Sequence, residues 1–158
     1  DIWTDANGSD GNWSVISVRG GANLTIDGNG TFKAKENDAF TVDVQNGSTV
    51  TIKNGTFISN VATVYVVEGT AVIEGGFFDI QQKSSGTTTE QQYRCLLNCY
   101  NENLKNGKAN IIVKGGTFVN YNPENGDDAL GGSFVAEGYK VVSEEQTNGD
   151  VWYTVVAK

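Results

Sequence analysis

The sequence predicts an all-β chain wound into stacked parallel coils, a solenoid, and three observations carry that expectation. A short phrase recurs four times, over 23–32 (N-L-T-I-D-G-N-G-T-F), 49–57 (T-V-T-I-K-N-G-T-F), 70–78 (T-A-V-I-E-G-G-F-F) and 110–118 (N-I-I-V-K-G-G-T-F). The chain has 20 Gly and 1 Pro in 158 residues, and Gly with Asn supplies the positive φ values that tight corners need. No stretch of about ten residues spaces its apolar side chains as a helix would, so crossover helices are not expected.

Each phrase holds an alternating strand, an aliphatic residue (Ile26, Ile52, Ile73, Val113), a charged residue, a glycine corner and an aromatic that restarts a strand. Units of this length stack because one alone cannot bury its apolar face. Alternation puts Leu24 and Ile26, Val50 and Ile52, Ala71 and Ile73, and Ile111 and Val113 on one face. In a parallel stack these form an aliphatic column, with an aromatic one from Phe32, Phe57, Phe78 and Phe118, about 4.8 Å per step. The core is expected in these two columns. The Phe anchors lie 25, 21 and 40 residues apart. The last interval equals two ordinary coils, or one coil carrying an excursion, and the whole reads as five or six coils.

Taken in order, residues 1–14 read as an N-terminal cap segment, 15–121 as coils with an excursion at 81–104, and 122–158 as a loop and hairpin cap. Oxygen-bearing side chains alternate at Asp5, Asn7 and Ser9, with Asp10 following, as at the start of a calcium loop, and Asp5, Asn7 and Asp10 are the candidate ligands. The EF-hand pattern then fails at Asp10, where Gly is required, and at Ile16, where a carboxylate is. A cap loop is the reading, with calcium the one cofactor the residues leave open. The segment 93–100 (Y-R-C-L-L-N-C-Y) reads as a strand, which would hold Cys95 and Cys99 about 13 Å apart, beyond disulfide reach. Buried thiols are expected, with a disulfide across a tight turn the alternative; two cysteines without histidine are half a zinc site. Past Tyr121, 133–142 and 151–156 read as two strands joined by a loop at 144–150 containing Asn148-Gly149. Such a hairpin would cover the open last rung.

Net charge is −8 with no histidine, which argues against nucleic acid and anionic membranes as partners. No apolar run approaches the length of a membrane span. The position after each ladder aliphatic alternates in sign: Asp27, Lys53, Glu74, Lys114. On stacked rungs opposite charges would be neighbours, favouring the correct register.

The G-T-F corner, with G-G-T-F-V-N-Y-N-P-E-N over 115–125 and F-V-A-E-G-Y-K-V-V and W-Y-T-V-V over 134–142 and 152–156, resembles a known family. It is the right-handed parallel β-helix (pectate-lyase-like) repeat family of gut bacterial surface proteins and gut bacteriophage fibre or virion proteins. The resemblance covers roughly 15–158. It implies a single-stranded right-handed parallel β-helix with a C-terminal β-hairpin cap, extracellular on a virion or bacterial surface. The partner implied is a host cell-surface glycan or protein receptor.

Enzymes of this fold cut polysaccharides, so the residues are tested for that chemistry. A lyase needs carboxylates around calcium beside a basic group, and the only arginines are Arg19, in a corner, and Arg94, in the excursion. A glycosidase needs two carboxylates about 5–9 Å apart across a sugar. Asp127-Asp128 and Glu144-Glu145 are adjacent pairs, read as solvated loop acids. No catalytic residue is assigned. The reading is a non-enzymatic adhesion module giving a rigid shaft; the alternatives are a polysaccharide depolymerase and a purely structural virion decoration subunit.

Binding candidates come from apolar positions expected to face outward. Ile58, Phe77 and Val119 beside the corners, and Val72 and Ile112 in the preceding strand, would line up into stripes. Such a stripe is covered by the excursion, consumed in a homotrimer or larger assembly, or used for sugar. Aromatics with polar neighbours add Tyr93, Tyr100 and Tyr121, while Trp3, Trp13 and Trp152 near the chain ends read as core plugs.

Overall fold

The computed structural model describes residues 14–34, 39–126 and 130–158, together with the backbone of residues 2–3. After β1 (Ile2–Trp3), strands follow in threes: β2 (Ser14–Val18), β3 (Asn23–Ile26), β4 (Thr31–Lys33); then β5 (Phe40–Val44), β6 (Ser48–Ile52), β7 (Thr56–Ser59). The next trio is β8 (Val64–Val66), β9 (Gly69–Ile73), β10 (Phe77–Ile80), and the last β11 (Leu97–Cys99), β12 (Ala109–Val113), β13 (Thr117–Val119). Up to β13, each strand pairs in parallel with the one three places on, which gives three sheets. The antiparallel hairpin β14 (Tyr139–Glu145) and β15 (Val151–Ala157) extends the sheet that ends in β13. The described strands thus form four trios, fewer than the five or six coils expected. The 40-residue interval holds one trio and an excursion.

Register follows the repeated phrase. Ile26, Ile52, Ile73 and Val113 are direct neighbours across β3, β6, β9 and β12, and the last three are fully buried. Leu24 holds the matching place beside Val50, but on the first rung it is 36% exposed. Phe32, Phe57, Phe78 and Phe118 are likewise in register, with ring centroids 5.1, 5.0 and 5.0 Å apart and planes within 12° of parallel. A third column completes the core where two were expected: Val42, Val64 and Leu97 beside Val44, Val66 and Cys99. The phrase misses it because these strands lie outside the repeated motif.

Corners stack as closely as strands. The Glu74 N–H donates to the Ile52 carbonyl and the Lys114 N–H to the Ile73 carbonyl, each at 2.7 Å. A Cβ on Gly75 would run into the Lys53 carbonyl, and one on Gly115 into that of Glu74. Asp27, Lys53, Glu74 and Lys114 do follow the ladder residues on successive rungs, all exposed. Among the described residues none of the four forms an ion pair, so backbone bonds hold the corners.

The excursion departs from the expected strand at 93–100. It forms a loop, then α1 (Thr89–Tyr93), then β11 beside β8, then α2 (Asn101–Lys105). Thr88 and Gln91 form a reciprocal capping box, the T-x-x-Q spacing that starts a helix where apolar periodicity shows none. Cys95 and Cys99 form no disulfide, and Cys99 is buried on the third column.

The chain end also shifts from expectation. Phe134 and Val135 do not belong to the hairpin: Val135 bridges Val113, and the Val113 N–H donates to the Phe134 carbonyl at 2.8 Å. Gly138, at φ 83°, then turns the chain into β14. Glu144 and Glu145 lie in that strand and not in a loop, because Gln146 and Asp150 already close the hairpin with a 2.7 Å backbone bond. The hairpin covers the edge of β13, and 134–136 that of β12. Among the described residues no helix is long and apolar enough to cross a membrane.

Candidate binding cleft

The excursion and the chain end meet beside β13 and leave a cleft between them. It has two adjoining lobes of about 300 and 310 Å³ that share Glu90, Asn120, Asn122 and Asn125. Gln91, Arg94 and Tyr121 line one lobe; Thr89, Val151 and Tyr153 line the other.

Each wall is fixed by local bonds. Asn120 follows β13 directly at φ 54°, a left-handed geometry that Asn tolerates better than most residues. Its N–H donates to the Val151 carbonyl at 2.7 Å, its Oδ1 accepts from the Val151 N–H at 2.8 Å, and its Nδ2 donates to Asp150 Oδ1 at 2.7 Å. One residue thus locks the hairpin turn onto the stack. The Tyr121 hydroxyl donates to the Gly126 carbonyl at 2.6 Å, closing the loop that carries the asparagines. Within it, Asn122 Oδ1 accepts from the Glu124 N–H at 3.0 Å and caps the 3-10 turn Pro123–Asn125. On the opposite wall the Gln91 N–H donates to Thr88 Oγ1 at 3.2 Å, while Gln91 Oε1 accepts from the Thr87 N–H at 2.9 Å. Glu90 and Arg94 stand one turn apart on that wall, spaced to attract each other.

Beneath the cleft, Tyr93 is buried at the end of α1 with Lys83 Nζ 5.5 Å from its ring centre. Burial pushes its hydroxyl above the usual tyrosine pKa, against a hydrogen bond with Asn120 and with the nearby Asp79 and Asp150 charges adding to the rise. Burial likewise raises the Asp79 carboxyl above its ordinary value, with Asp150 adding to the effect.

The binding residues expected from sequence disperse. Val119 does lie on the outward face, opposite to Phe118, but it is buried there: its neighbour in β15 is Trp152, part of the same packed cluster. Phe77 is half-buried, with Trp152 of the hairpin edge-on at 5.2 Å. Ile58 is half-buried beside Asp79, and Ile112 is 36% exposed. Tyr93 and Tyr121 are core residues, though Tyr121 also lines the cleft, and Tyr100 is 48% exposed at the start of α2, outside the cleft lining. Trp13, the candidate calcium ligands Asp5, Asn7 and Asp10, the acids Asp127 and Asp128, and the side chain of Trp3 lie outside the described residues.

Glu144 and Glu145 are consecutive in β14 and point to opposite faces, so they do not form a catalytic pair. Among the described residues lining the cleft, Glu90 is the one carboxylate. Four amides line the cleft: Gln91, Asn120, Asn122 and Asn125. Backbone N–H groups take the side-chain oxygens of the first three, but the amide of Asn125 has two donors and an acceptor of the kind suited to the paired hydroxyls of a sugar. Among the described residues, Asn125 and Glu90 make no structural side-chain bond, in contrast to Asn120, Asn122 and Gln91. Among the described residues no group of His, Cys, Asp and Glu is placed to hold a metal ion. Comparison with protein-family models, with curated proteins and with solved structures finds no match for this chain.

Proposed function

We propose that this chain is a right-handed parallel β-helix with a hairpin cap, and that it works as a non-enzymatic extracellular or virion-associated module. It gives a rigid shaft, and it holds a host-surface glycan in the cleft between α1 and the 120–126 segment. The observation that supports this reading most is the division of labour in the cleft. Asn120, Asn122, Gln91 and Tyr121 are spent on fixing the walls, while Glu90 and Asn125 line the cleft, exposed, with no structural side-chain bond among the described residues. Tyr153 adds a ring of the kind on which sugars stack, and Arg94 a fixed cation. Affinity per site is modest for so open a cleft, and display in several copies at fixed spacing raises it.

A glycan array probed with the labelled chain tests the proposal, with Asn125→Ala and Glu90→Gln as partner probes. Saturable binding to a discrete glycan set, reduced about tenfold or more by either substitution at unchanged thermal stability, is the expected result. A folded chain that binds no glycan sinks the adhesion reading in favour of a structural subunit. Loss of viscosity in a polysaccharide solution would move it to a depolymerase.

A further inference from the structure

The outermost strand of the seven-stranded sheet, β14, has one side bonded to β15, and among the described residues none pairs with the other side. Five of its seven residues are exposed, including Val142 at 45%. An open edge of this length normally carries a device against pairing, and charge is the usual one. Here the charges are Lys140, Glu144 and Glu145. We propose that they direct the edge onto one partner, a second copy of the same strand, in an antiparallel two-fold dimer centred on Val142.

The hydrogen-bond phase comes first. Gln146 with Asp150 at one end of the hairpin, and Gly138 with Lys158 at the other, are backbone-bonded across it. Bonding alternates along an antiparallel pair, so the N–H and C=O groups of Tyr139, Val141, Ser143 and Glu145 point to the open side. A two-fold pairing must match these residues with one another. Centring on Val142 does so over the whole strand: Tyr139 meets the second copy's Glu145, and Val141 its Ser143, giving about eight hydrogen bonds between copies.

Charge then selects that register. With Val142 on the axis, Lys140 of each copy stands opposite Glu144 of the other, twice per dimer, in the closer-spaced class of pair. Moving the centre to Val141 or Ser143 keeps the bonding phase but breaks both ion pairs and leaves part of the strand unmatched. Parallel pairing in register would set Lys140 against Lys140 and Glu144 against Glu144, which disfavours it. The exposed Val142 side chains meet each other at the axis, on the outward face that continues from Thr117 and Thr154. A closed two-fold pairing uses up the edge and stops there, as a self-limiting assembly must.

Sedimentation of the full chain over a concentration series tests this, with Lys140→Glu, Glu144→Lys and the double exchange. The expected result is a dimer of about 34 kDa from the 16.9 kDa chain, weakened about tenfold or more by each single reversal and restored by the double. Far-UV circular dichroism checks that each variant keeps its fold, and the double exchange supplies a control if one single does not. Ser143→Pro is the second probe, since it removes an outward N–H and leaves the β15 ladder intact, and it is expected to give monomer. A chain that stays monomeric at every concentration, a trimer, a dimer indifferent to the reversals, or a double exchange that fails to restore pairing overturns the proposal.

Discussion

At the scale of single residues, the corners decide how closely rungs stack. Gly115 sits where a Cβ would meet the Glu74 carbonyl, a backbone atom held by its own rung. Gly115→Ala therefore pushes two rungs apart and is expected to lower stability by about 1–3 kcal/mol, read as a lower urea midpoint. Gly30 belongs to an equivalent corner at the first rung, where no atom of the described residues lies within reach of a Cβ. Gly30→Ala is expected to be neutral or stabilising by about 0.5 kcal/mol, since it only narrows the unfolded ensemble. Equal losses at both sites would mean that stacking distance is not the constraint. Asp43 makes a different kind of statement. Its Oδ2 accepts from Ser17 at 3.0 Å and Gln45 at 2.7 Å with Arg19 3.8 Å away, yet burial holds its carboxyl above the ordinary 3.8. The folded state then binds more protons than the unfolded one, so this group's contribution falls as pH rises from 3.8 through the raised folded value. Denaturant titrations across that window should show Asp43→Asn gaining on the parent chain as pH increases. Parallel pH profiles for the two would contradict the sign.

At the scale of elements, the phenylalanine column is the longest continuous feature of the core. Phe78 stacks on both sides and is fully buried, whereas Phe32 at the first described rung stacks on Phe57 and is half-buried. Phe78→Ala is expected to cost about 3–5 kcal/mol by leaving a hole between two rungs. Phe32→Ala should cost roughly half as much, because less area leaves water there. Chemical denaturation of both variants checks the gradient; an equal cost would point to a column that does not stack as a series. This ladder and its aliphatic partner were legible in the sequence because parallel register puts like residue beside like, so a repeat in the chain becomes a column in space. The third column was not, since β2, β5 and β8 share valine without sharing a phrase, and β11 sets Leu97 and Cys99 in its place. Val119 was misread for a related reason: alternation says which face a residue is on, and only the returning hairpin decides that this face is covered. The cleft was the least legible part. Its residues come from 89–94, 120–126, 131 and 149–153, and nothing in their spacing joins segments that meet only because the fourth trio brings the excursion beside the chain end. The capping box at Thr88 and Gln91 was the one local signal available.

At the scale of the whole molecule, the question is whether the rungs form a series that can be lengthened. In a stack where each rung touches only its neighbours, stability is close to a sum of rung and interface terms, and one more internal rung adds to both. The step from Phe57 to Phe78 is one complete rung, with β8 and β9 between two in-register phenylalanines. Placing a second copy of 58–78 directly after Phe78 would thus extend all three columns at once. The new Phe continues the ring stack, Ile73 repeats in the aliphatic column, and Val64 and Val66 repeat in the third. Every segment that builds the cleft lies after the insertion point, so α1, β13 and the hairpin keep their mutual positions. The expected outcome is a chain that still unfolds in one cooperative step, with a urea dependence steeper roughly in proportion to the added residues. Its midpoint should be no lower, and the glycan binding proposed for the cleft unchanged. A closed or globular arrangement of the same strands has no place for an extra trio, and would respond with aggregation or loss of cooperative unfolding. That response would overturn the β-helix reading while leaving the pairings of the present strands as they are.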